Sequence, residues 1–196
     1  MASMLSLTYP GEFPRASYGD LDTLPAGVVG EILFGELLMS PRPTPSHARA
    51  SSKLAAILGV ADRPANELTG SGDSGWFFVN EPEIRLDGDA VVPDIAAWRR
   101  ERMQGVRSDY PDIAPDWVCE VQSPATARHD WTTKAEWYLK AGVRWYWIVD
   151  PRARTIRHFR ATADGWMALG LVADHECESL EPFTTIAIPL DDLWLS

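Results

Sequence analysis

The sequence has little cysteine, an excess of acidic over basic residues, and no long hydrophobic run. Its two cysteines, Cys119 and Cys177, are too few for a disulfide framework or a zinc site, which favours a reducing, cytoplasmic compartment. No stretch of about 18 uncharged apolar residues is present, so we expect no transmembrane helix. The N-terminus has no basic start followed by an apolar run, which is unlike a secretory signal.

Positive charge is also scarce, and this bears on a nucleic-acid partner. The chain has 18 Lys and Arg against 28 Asp and Glu, for a net charge of −10. Binding to duplex DNA depends on neutralising phosphates with clustered basic groups. Two arginine clusters are candidates for such contacts, although both also fit ordinary solvated surface: Arg99, Arg100, Arg102 and Arg107, and Arg152, Arg154, Arg157 and Arg160.

The chain has enough apolar residues for a substantial core. It has 196 residues, of which 45% are hydrophobic, and nine are tryptophans that bury large areas when packed. Residues 1–17 contain prolines and few periodic apolar positions, which indicates a loosely ordered leader. We therefore predict a single domain over residues 18–196.

Hydrophobic periodicity and turn residues indicate an α/β order of elements. Between Ser46 and Asp150 the order is helix, three strands, helix and strand, preceded by a hairpin around Phe34 and Gly35. The segments, in sequence order, are two short strands over 28–39, a helix with Ser46 as its N-cap that ends at Leu58, one or two strands over 76–79 and 83–86, strands over 91–98 and 116–122, a helix from Asp130 to Ala141, and a strand over 144–150.

Two acidic residues lie on predicted neighbouring strands, Asp94 on one and Glu120 on the next. Alternation along the second strand turns Glu120 and Gln122 to the same face. Buried polar side chains are costly unless a partner satisfies them. Mg²⁺ takes oxygen ligands, typically one or two carboxylates, and it activates water for phosphodiester hydrolysis. The pattern therefore indicates a metal-dependent hydrolase site.

Val92-Pro93-Asp94 and Glu120-Val121-Gln122 resemble the PD-(D/E)xK signature of the restriction-endonuclease-like superfamily. Further segments in the same linear order, from Tyr18 to Leu190, are similar to the Uma-two family of bacterial endonucleases. These segments are Gly35-Glu36-Leu37-Leu38-Met39-Ser40-Pro41 with His47, Ser123-Pro124-Ala125-Thr126, Asp130, Lys134, Tyr138, and Ala141-Gly142-Val143 followed by residues 146–151. The resemblance implies a mixed central sheet with α-β-β-β-α-β order, an N-terminal β-hairpin and C-terminal strands.

The resemblance also implies roles for individual residues. Asp94 and Glu120 would bind Mg²⁺, or Mn²⁺ as a substitute, with the Val121 carbonyl as a further ligand. Glu36 would reach the site from the hairpin as an accessory carboxylate.

Gln122 departs from the signature, because a lysine is expected at that position. Lys134 on the following helix is the candidate replacement for the missing ammonium. Its alternative interpretation is an ordinary i, i+4 pair with Asp130.

Two further residues are candidates for substrate binding. His47 would contact phosphate or help to cap its helix, and Tyr138 would contact substrate or pack in the core. The expected activity is metal-dependent hydrolysis of DNA by a possible homodimer. The alternative is a catalytically inactive nuclease-fold protein that binds nucleic acid or a protein partner.

Overall fold

The structure is a computed structural model that describes residues 15–62, 75–173 and 177–195. The predicted leader, residues 1–17, lies mostly outside the described residues, and the predicted extent of the single domain stays a prediction. The described residues form twelve strands: β1 (Val28–Leu33), β2 (Glu36–Pro41), β3 (Trp76–Asn80), β4 (Ile84–Leu86), β5 (Asp89–Val91), β6 (Ile95–Arg99), β7 (Trp117–Val121), β8 (Trp145–Asp150), β9 (Thr155–Thr162), β10 (Gly165–Ala173), β11 (Cys177–Leu180) and β12 (Phe183–Pro189).

Of the helices in the described residues, only Pro45–Leu58 is longer than two turns. They are α1 (Tyr18–Leu21), α2 (Pro45–Leu58), α3 (Ala127–His129) and α4 (Ala135–Ala141), with a π-helical turn (Asp130–Lys134) joining α3 to α4 and 3-10 turns at Gly59–Ala61, Arg100–Met103 and Leu190–Leu193. The helix with Ser46 as its predicted N-cap starts two residues earlier than predicted. Its N-cap is Thr44, whose side chain accepts a hydrogen bond from His47 N at 3.4 Å, and Pro45 occupies the first turn, where a missing N–H costs nothing.

The central sheet has six strands in the order β10-β9-β8-β7-β6-β3. Strands β7 and β8 are parallel and are connected by α3, the π-helical turn and α4, while the other neighbours are antiparallel. Reading α2, β3, β6, β7, α4 and β8 along the chain gives the predicted α-β-β-β-α-β order. The predicted fold class is confirmed.

A smaller four-stranded sheet lies beside the central one, in the order β2-β1-β5-β4. It contains the predicted N-terminal hairpin and the β4–β5 hairpin, whose turn residues Asp87 and Gly88 have φ values of 53° and 88°. Positive φ at both positions suits the tight two-residue turn that Asp-Gly predicts.

The segment predicted as one strand over 91–98 is broken between two sheets. Strand β5 ends at Val91 in the smaller sheet and β6 begins at Ile95 in the central sheet. Pro93 lies in the break, where it needs no ladder donor. Asp94 is therefore the residue immediately before a central strand rather than a residue within it.

Apolar side chains on the two faces of the central sheet form two cores, and β7 shows how the sequence builds both. Trp117, Cys119 and Val121 face the core that contains α2, β12 and the C-terminal turn. Val118 faces the opposite core with Tyr138 of α4. Because strand side chains alternate, Glu120 points to the α4 side, where an acidic residue must find partners.

Candidate active site

An acidic pocket opens where the smaller sheet, α2, β7 and the π-helical turn meet. Its titratable lining residues are five carboxyl groups, one ammonium and one imidazole: Glu31, Glu81, Asp94, Glu120, Asp130, Lys134 and His47. The pocket volume is about 80 Å³. We refer to this cluster as the acidic pocket.

Asp94 is fixed at the edge of the acidic pocket by the strand pairing. Ile95 is opposite Cys119 in the antiparallel β6–β7 pair, so the residue before Ile95 lies beside the end of β7. The Oδ2 atom of Asp94 accepts a hydrogen bond of 2.6 Å from the backbone N–H of Val121. The carboxylate predicted on one strand is thereby placed next to Glu120, as the motif spacing required.

Glu120 is buried and bonded on one oxygen. Its Oε1 lies 2.7 Å from Lys134 Nζ and accepts a hydrogen bond from the Tyr138 hydroxyl. Burial raises the pKa of Glu120 well above its ordinary value, opposed by Lys134 and reinforced by the charge of Asp94. Its Oε2 has no hydrogen-bond partner within the described part of the chain, which leaves one oxygen to meet a ligand.

Lys134 lies in the acidic pocket, not in a surface pair. Its Nζ contacts Glu31 Oε1 at 3.0 Å and donates to the Val92 carbonyl at 3.1 Å, in addition to Glu120. Burial lowers the pKa of Lys134, but the surrounding carboxylates outweigh it and raise the pKa above its ordinary value. The alternative i, i+4 ion pair with Asp130 is not formed, and the lysine stays charged at neutral pH.

Asp130 shares the pocket through the π-helical turn. Burial raises its pKa to about 7, opposed by Lys134 and reinforced by the charge of Asp94. Its Oδ2 accepts a hydrogen bond from Thr126 Oγ1 at 3.2 Å. Single turns of π-helix occur frequently at functional sites. The sequence suggests Asp130 only as an i, i+4 partner for Lys134, and the motif spacing gave no sign of its place in the pocket.

Glu36 does not reach the acidic pocket, and the prediction of an accessory role for it is wrong. It lies at the turn end of the β1–β2 hairpin, opposite Leu33, with its side chain exposed. Glu31, two register positions further from the turn, is the carboxylate that the hairpin supplies: its Oε1 accepts from Val92 N at 2.8 Å and binds Lys134. The sequence did carry a sign of this role, since Glu31 is the only charged residue in the apolar run 28–33. A buried charge must be paired, so such a residue points to a partner.

Gln122 is also outside the acidic pocket, so the expected convergence of Asp94, Glu120 and Gln122 is wrong for the glutamine. Strand β7 ends at Val121, and Gln122 N donates to the Val149 carbonyl at 2.7 Å. Its side chain lines a separate cavity with Ile148 and Asp150 of β8. Ile148, which also lines this cavity, is the register partner of Glu120 in the β7–β8 pair.

His47 and Tyr138 hold carboxylates in place. His47 lines the acidic pocket, and its Nε2 lies 3.1 Å from Asp94. Burial is the largest single effect and lowers the pKa of His47, but the hydrogen bond to Asp94 and the negative charges of nearby carboxylates together outweigh it and raise the pKa. Tyr138 is fully buried and contacts Glu120 from one helical turn beyond Lys134. A substrate role for Tyr138 is therefore wrong, because its side chain does not reach the pocket surface.

The donor set fits a magnesium-type ion held by few protein ligands. Within the described ranges, no three His, Cys, Asp or Glu side chains converge closely enough to hold an ion alone. Mg²⁺ needs only one or two carboxylates and keeps several waters. The acidic pocket offers all-oxygen carboxylate ligands and carries more negative than positive charge, which a divalent cation would offset. The Val121 carbonyl as a further ligand stays a prediction.

A match to a known protein family identifies the class to which this chain belongs. A family model, Uma2, described as "Putative restriction endonuclease", matches residues 17–191. The chain belongs to the Uma2 family. Its match spans every element that lines the acidic pocket.

The fold of this Uma2 chain is also found in a solved structure. The crystal structure of "a putative nuclease belonging to DUF820" from Anabaena variabilis ATCC 29413 superposes with a TM-score of 0.72. The two chains are 19% identical, and the match covers 91% of this chain and 97% of the other. No curated protein sequence matches the chain.

None of the helices in the described ranges has the length and apolar character needed to span a bilayer.

Proposed function

We propose that this chain is a metal-dependent endonuclease that hydrolyses phosphodiester bonds in DNA. The observation that carries the proposal is the meeting of Lys134 with Glu120 beside Asp94. The three residue types of the PD-(D/E)xK chemistry are thus present in one pocket, although the lysine comes from the helix. Membership of a family described as a restriction endonuclease supports DNA as the substrate.

Asp94 and Glu120 would hold Mg²⁺, or Mn²⁺ in its place, through their carboxylate oxygens. When bound, such an ion neutralises phosphate charge and lowers the pKa of an attacking water. Asp94 is oriented for this by two donors, Val121 N–H and His47, and Glu120 by Lys134 and Tyr138. Fixed ligands of this kind spare the site a reorganisation cost during the reaction.

Two further residues would act on the substrate and on water: Lys134 as a fixed positive charge, and Asp130 as a proton acceptor. Because its pKa is raised, Lys134 keeps its proton and supplies a positive charge for an anionic substrate. Asp130 has a pKa of about 7 and lines the same pocket, so it is able to accept a proton from water near neutral pH.

A second candidate is a nuclease-fold protein that binds nucleic acid or a partner protein without cutting. The contacts of Lys134 with Glu31, Glu120 and the Val92 carbonyl favour it, because they satisfy the ammonium without any ligand. The two candidates differ in whether the carboxylates serve catalysis or only hold the fold together.

Conversion of supercoiled plasmid to nicked and linear DNA with Mg²⁺ or Mn²⁺ separates the two candidates. We expect cleavage by the wild type, no cleavage by Asp94→Ala, and unchanged cleavage by Asp109→Ala, which removes an exposed carboxylate elsewhere. A folded wild type that leaves plasmid intact with both ions contradicts the endonuclease proposal. Light scattering over a range of concentrations tests the further proposal of a homodimer, which cleavage of both strands would use.

A further inference from the structure

A second cavity lies on the other side of the π-helical turn from the acidic pocket. Its volume is about 240 Å³, and its wall includes Gln122, Trp131, Asp150 and Arg157. The turn separates the two spaces: Asp130 and Lys134 line the acidic pocket, whereas Trp131 lines this cavity. We call it the Trp131 cavity. The nuclease chemistry proposed above uses none of the residues in its wall.

Trp131 is unusual among the tryptophans because 43% of it is exposed. Its ring is held edge-on against Phe159, with centroids 5.7 Å apart and planes at 90°. A large, flat and positioned aromatic surface that faces water is the feature on which nucleobases stack in proteins that bind single strands.

The wall also carries a buried polar group that lacks a partner. The Nε2 atom of Gln122 is buried and has no hydrogen-bond partner among the residues that the structure describes. Buried donors are nearly always satisfied in folded proteins, so an unsatisfied one in a cavity wall points to a missing acceptor. Asp150 contributes an acceptor in the same wall, and its Oδ1 already accepts from the backbone N–H of Arg152 and of Ala153.

Three arginines at or near this cavity form no ion pair in the described residues, whereas two arginines of the other cluster do. Arg100 and Arg102 are paired with Asp62 and Asp116. Within residues 15–62, 75–173 and 177–195, none of three arginines near the cavity forms an ion pair: Arg152, Arg154 and Arg157. The guanidinium of Arg157 lies 5.8 Å from the Trp131 ring centroid, and the other two flank Ala153, which is in the cavity wall. This rim is therefore suited to phosphates.

The distance between the two spaces suits neighbouring nucleotides of one strand. Glu120 lines the acidic pocket and Gln122 lines the Trp131 cavity, so about 7 Å of extended chain separates their Cα atoms. Stacked nucleotides of one strand rise about 3.4 Å each. A strand with its phosphate at the carboxylates therefore has a base within reach of the cavity.

We propose that the Trp131 cavity binds an unstacked nucleobase of the nucleic-acid strand whose phosphate occupies the acidic pocket. Trp131 stacks on the base, Gln122 and Asp150 meet its polar edge, and Arg157 with the rim arginines meets the flanking phosphates. This inference rests on the proposed function and adds to it a base-binding site that reassigns Gln122 from catalysis to recognition.

The test compares two fluorescein-labelled single-stranded 12-mers by anisotropy in buffer with Ca²⁺, an oxygen-preferring ion that would offset the charge of the acidic pocket: oligo(dA), and a matched strand with tetrahydrofuran abasic residues. We expect the wild type to bind oligo(dA) at least about fivefold more tightly, since stacking one base contributes about 5- to 150-fold. Trp131→Ala should bind both strands alike, and Trp131→Phe should recover part of the preference. Arg157→Ala should weaken binding to both strands, whereas Arg107→Ala, which removes an exposed arginine elsewhere, should not.

Equal affinity of the wild type for both strands, or an unchanged preference in folded Trp131→Ala, overturns the base-binding site. Asp94-dependent plasmid cleavage that persists alongside either result leaves the endonuclease proposal standing. A wild type that binds neither strand and cuts no plasmid overturns both proposals.

Discussion

His47 Nε2 lies 3.1 Å from each carboxylate oxygen of Asp94. The histidine comes from the first turn of α2 and the aspartate from the break before β6, so this contact joins two elements across the mouth of the acidic pocket. Only one other hydrogen bond to the Asp94 side chain is formed in the described residues, from Val121 N–H. His47 is therefore in a position to set which way the carboxylate faces.

Replacing His47 should weaken catalysis more than it weakens the fold. His47→Ala removes one of the two donors to Asp94, and loss of such an outer partner typically costs about 10- to 100-fold in metal affinity or activity. His47→Gln, which retains an N–H donor, should recover part of the cleavage rate. Plasmid cleavage rates at several Mn²⁺ concentrations measure this. His158→Gln, at a histidine outside the pocket, is the control, and cleavage by His47→Ala at the wild-type rate would exclude a positioning role.

Glu31 and Glu36 form a matched pair for testing which glutamate of the hairpin belongs to the site. Glu31→Gln removes a charge that pairs with buried Lys134, so it should lower the free energy of unfolding by about 1 to 3 kcal/mol. Glu36→Gln changes an exposed side chain and should stay within about 0.5 kcal/mol of wild type. Denaturant unfolding compares them, and plasmid cleavage should fall only for Glu31→Gln. Equal effects of the two changes would contradict the assignment of Glu31.

Local sequence signals predicted most elements because each has a local cause. The Asp-Gly turn, the apolar spacing of α2 and the C-terminal stop of α4 at Gly142, where φ is 90°, follow from residue chemistry alone. The break at residues 92–94 was missed because it depends on two sheets competing for one apolar segment. A proline within that segment was the available sign.

The site residues were predictable as far as strand alternation and motif spacing extend. Asp94, Glu120 and Lys134 meet as predicted from the resemblance, since neighbouring strands and a crossover helix bring them together. Glu36 and Gln122 were misplaced because the distance along a hairpin and the end of a strand are set by tertiary packing. The position of a residue in the motif shows neither how far along the hairpin it lies from the site nor where its strand ends.

The raised pKa of Asp130 predicts a pH-dependent effect of Asp130→Asn on stability. The folded-state pKa of about 7 lies above the unfolded value of about 3.9, so the aspartate costs nothing below pH 4. The cost appears as pH rises and is complete above pH 7. Asparagine avoids it and still accepts from Thr126, so the variant should gain about 1 to 4 kcal/mol at pH 8. It should gain nothing at pH 4.

Denaturant unfolding of Asp130→Asn and wild type at pH 4, 6 and 8, with chelator present, measures this trend. Asp109→Asn controls for a change in surface charge, because Asp109 is exposed. A difference between variant and wild type that is constant across these pH values would mean that the carboxyl group is not the cause. Plasmid cleavage by Asp130→Asn should be lost as well if the aspartate accepts the proton from water.

The excess of carboxylates in the acidic pocket predicts that a divalent cation stabilises the folded protein. Like charges at close range disfavour the empty site, and an ion that binds only the native state adds about 2.7 kcal/mol at 100 times its dissociation constant. For a chain of this size, each kcal/mol raises the melting temperature by about 2 to 4 °C. Mn²⁺ should therefore raise the melting temperature of wild type by about 5 to 10 °C over chelator.

Asp94→Asn should abolish most of that rise, because it removes a proposed ligand charge while its amide oxygen can still accept from Val121 N–H. Asp109→Asn should keep the full rise, which excludes a general effect of the ion on acidic surface. The same melts with Ca²⁺ add a second oxygen-preferring ion whose larger size tests how tightly the pocket is shaped. If wild type and Asp94→Asn respond equally to Mn²⁺, the ion binds elsewhere, and the Lys134–Glu120 pair is then a structural contact in a site without catalytic metal.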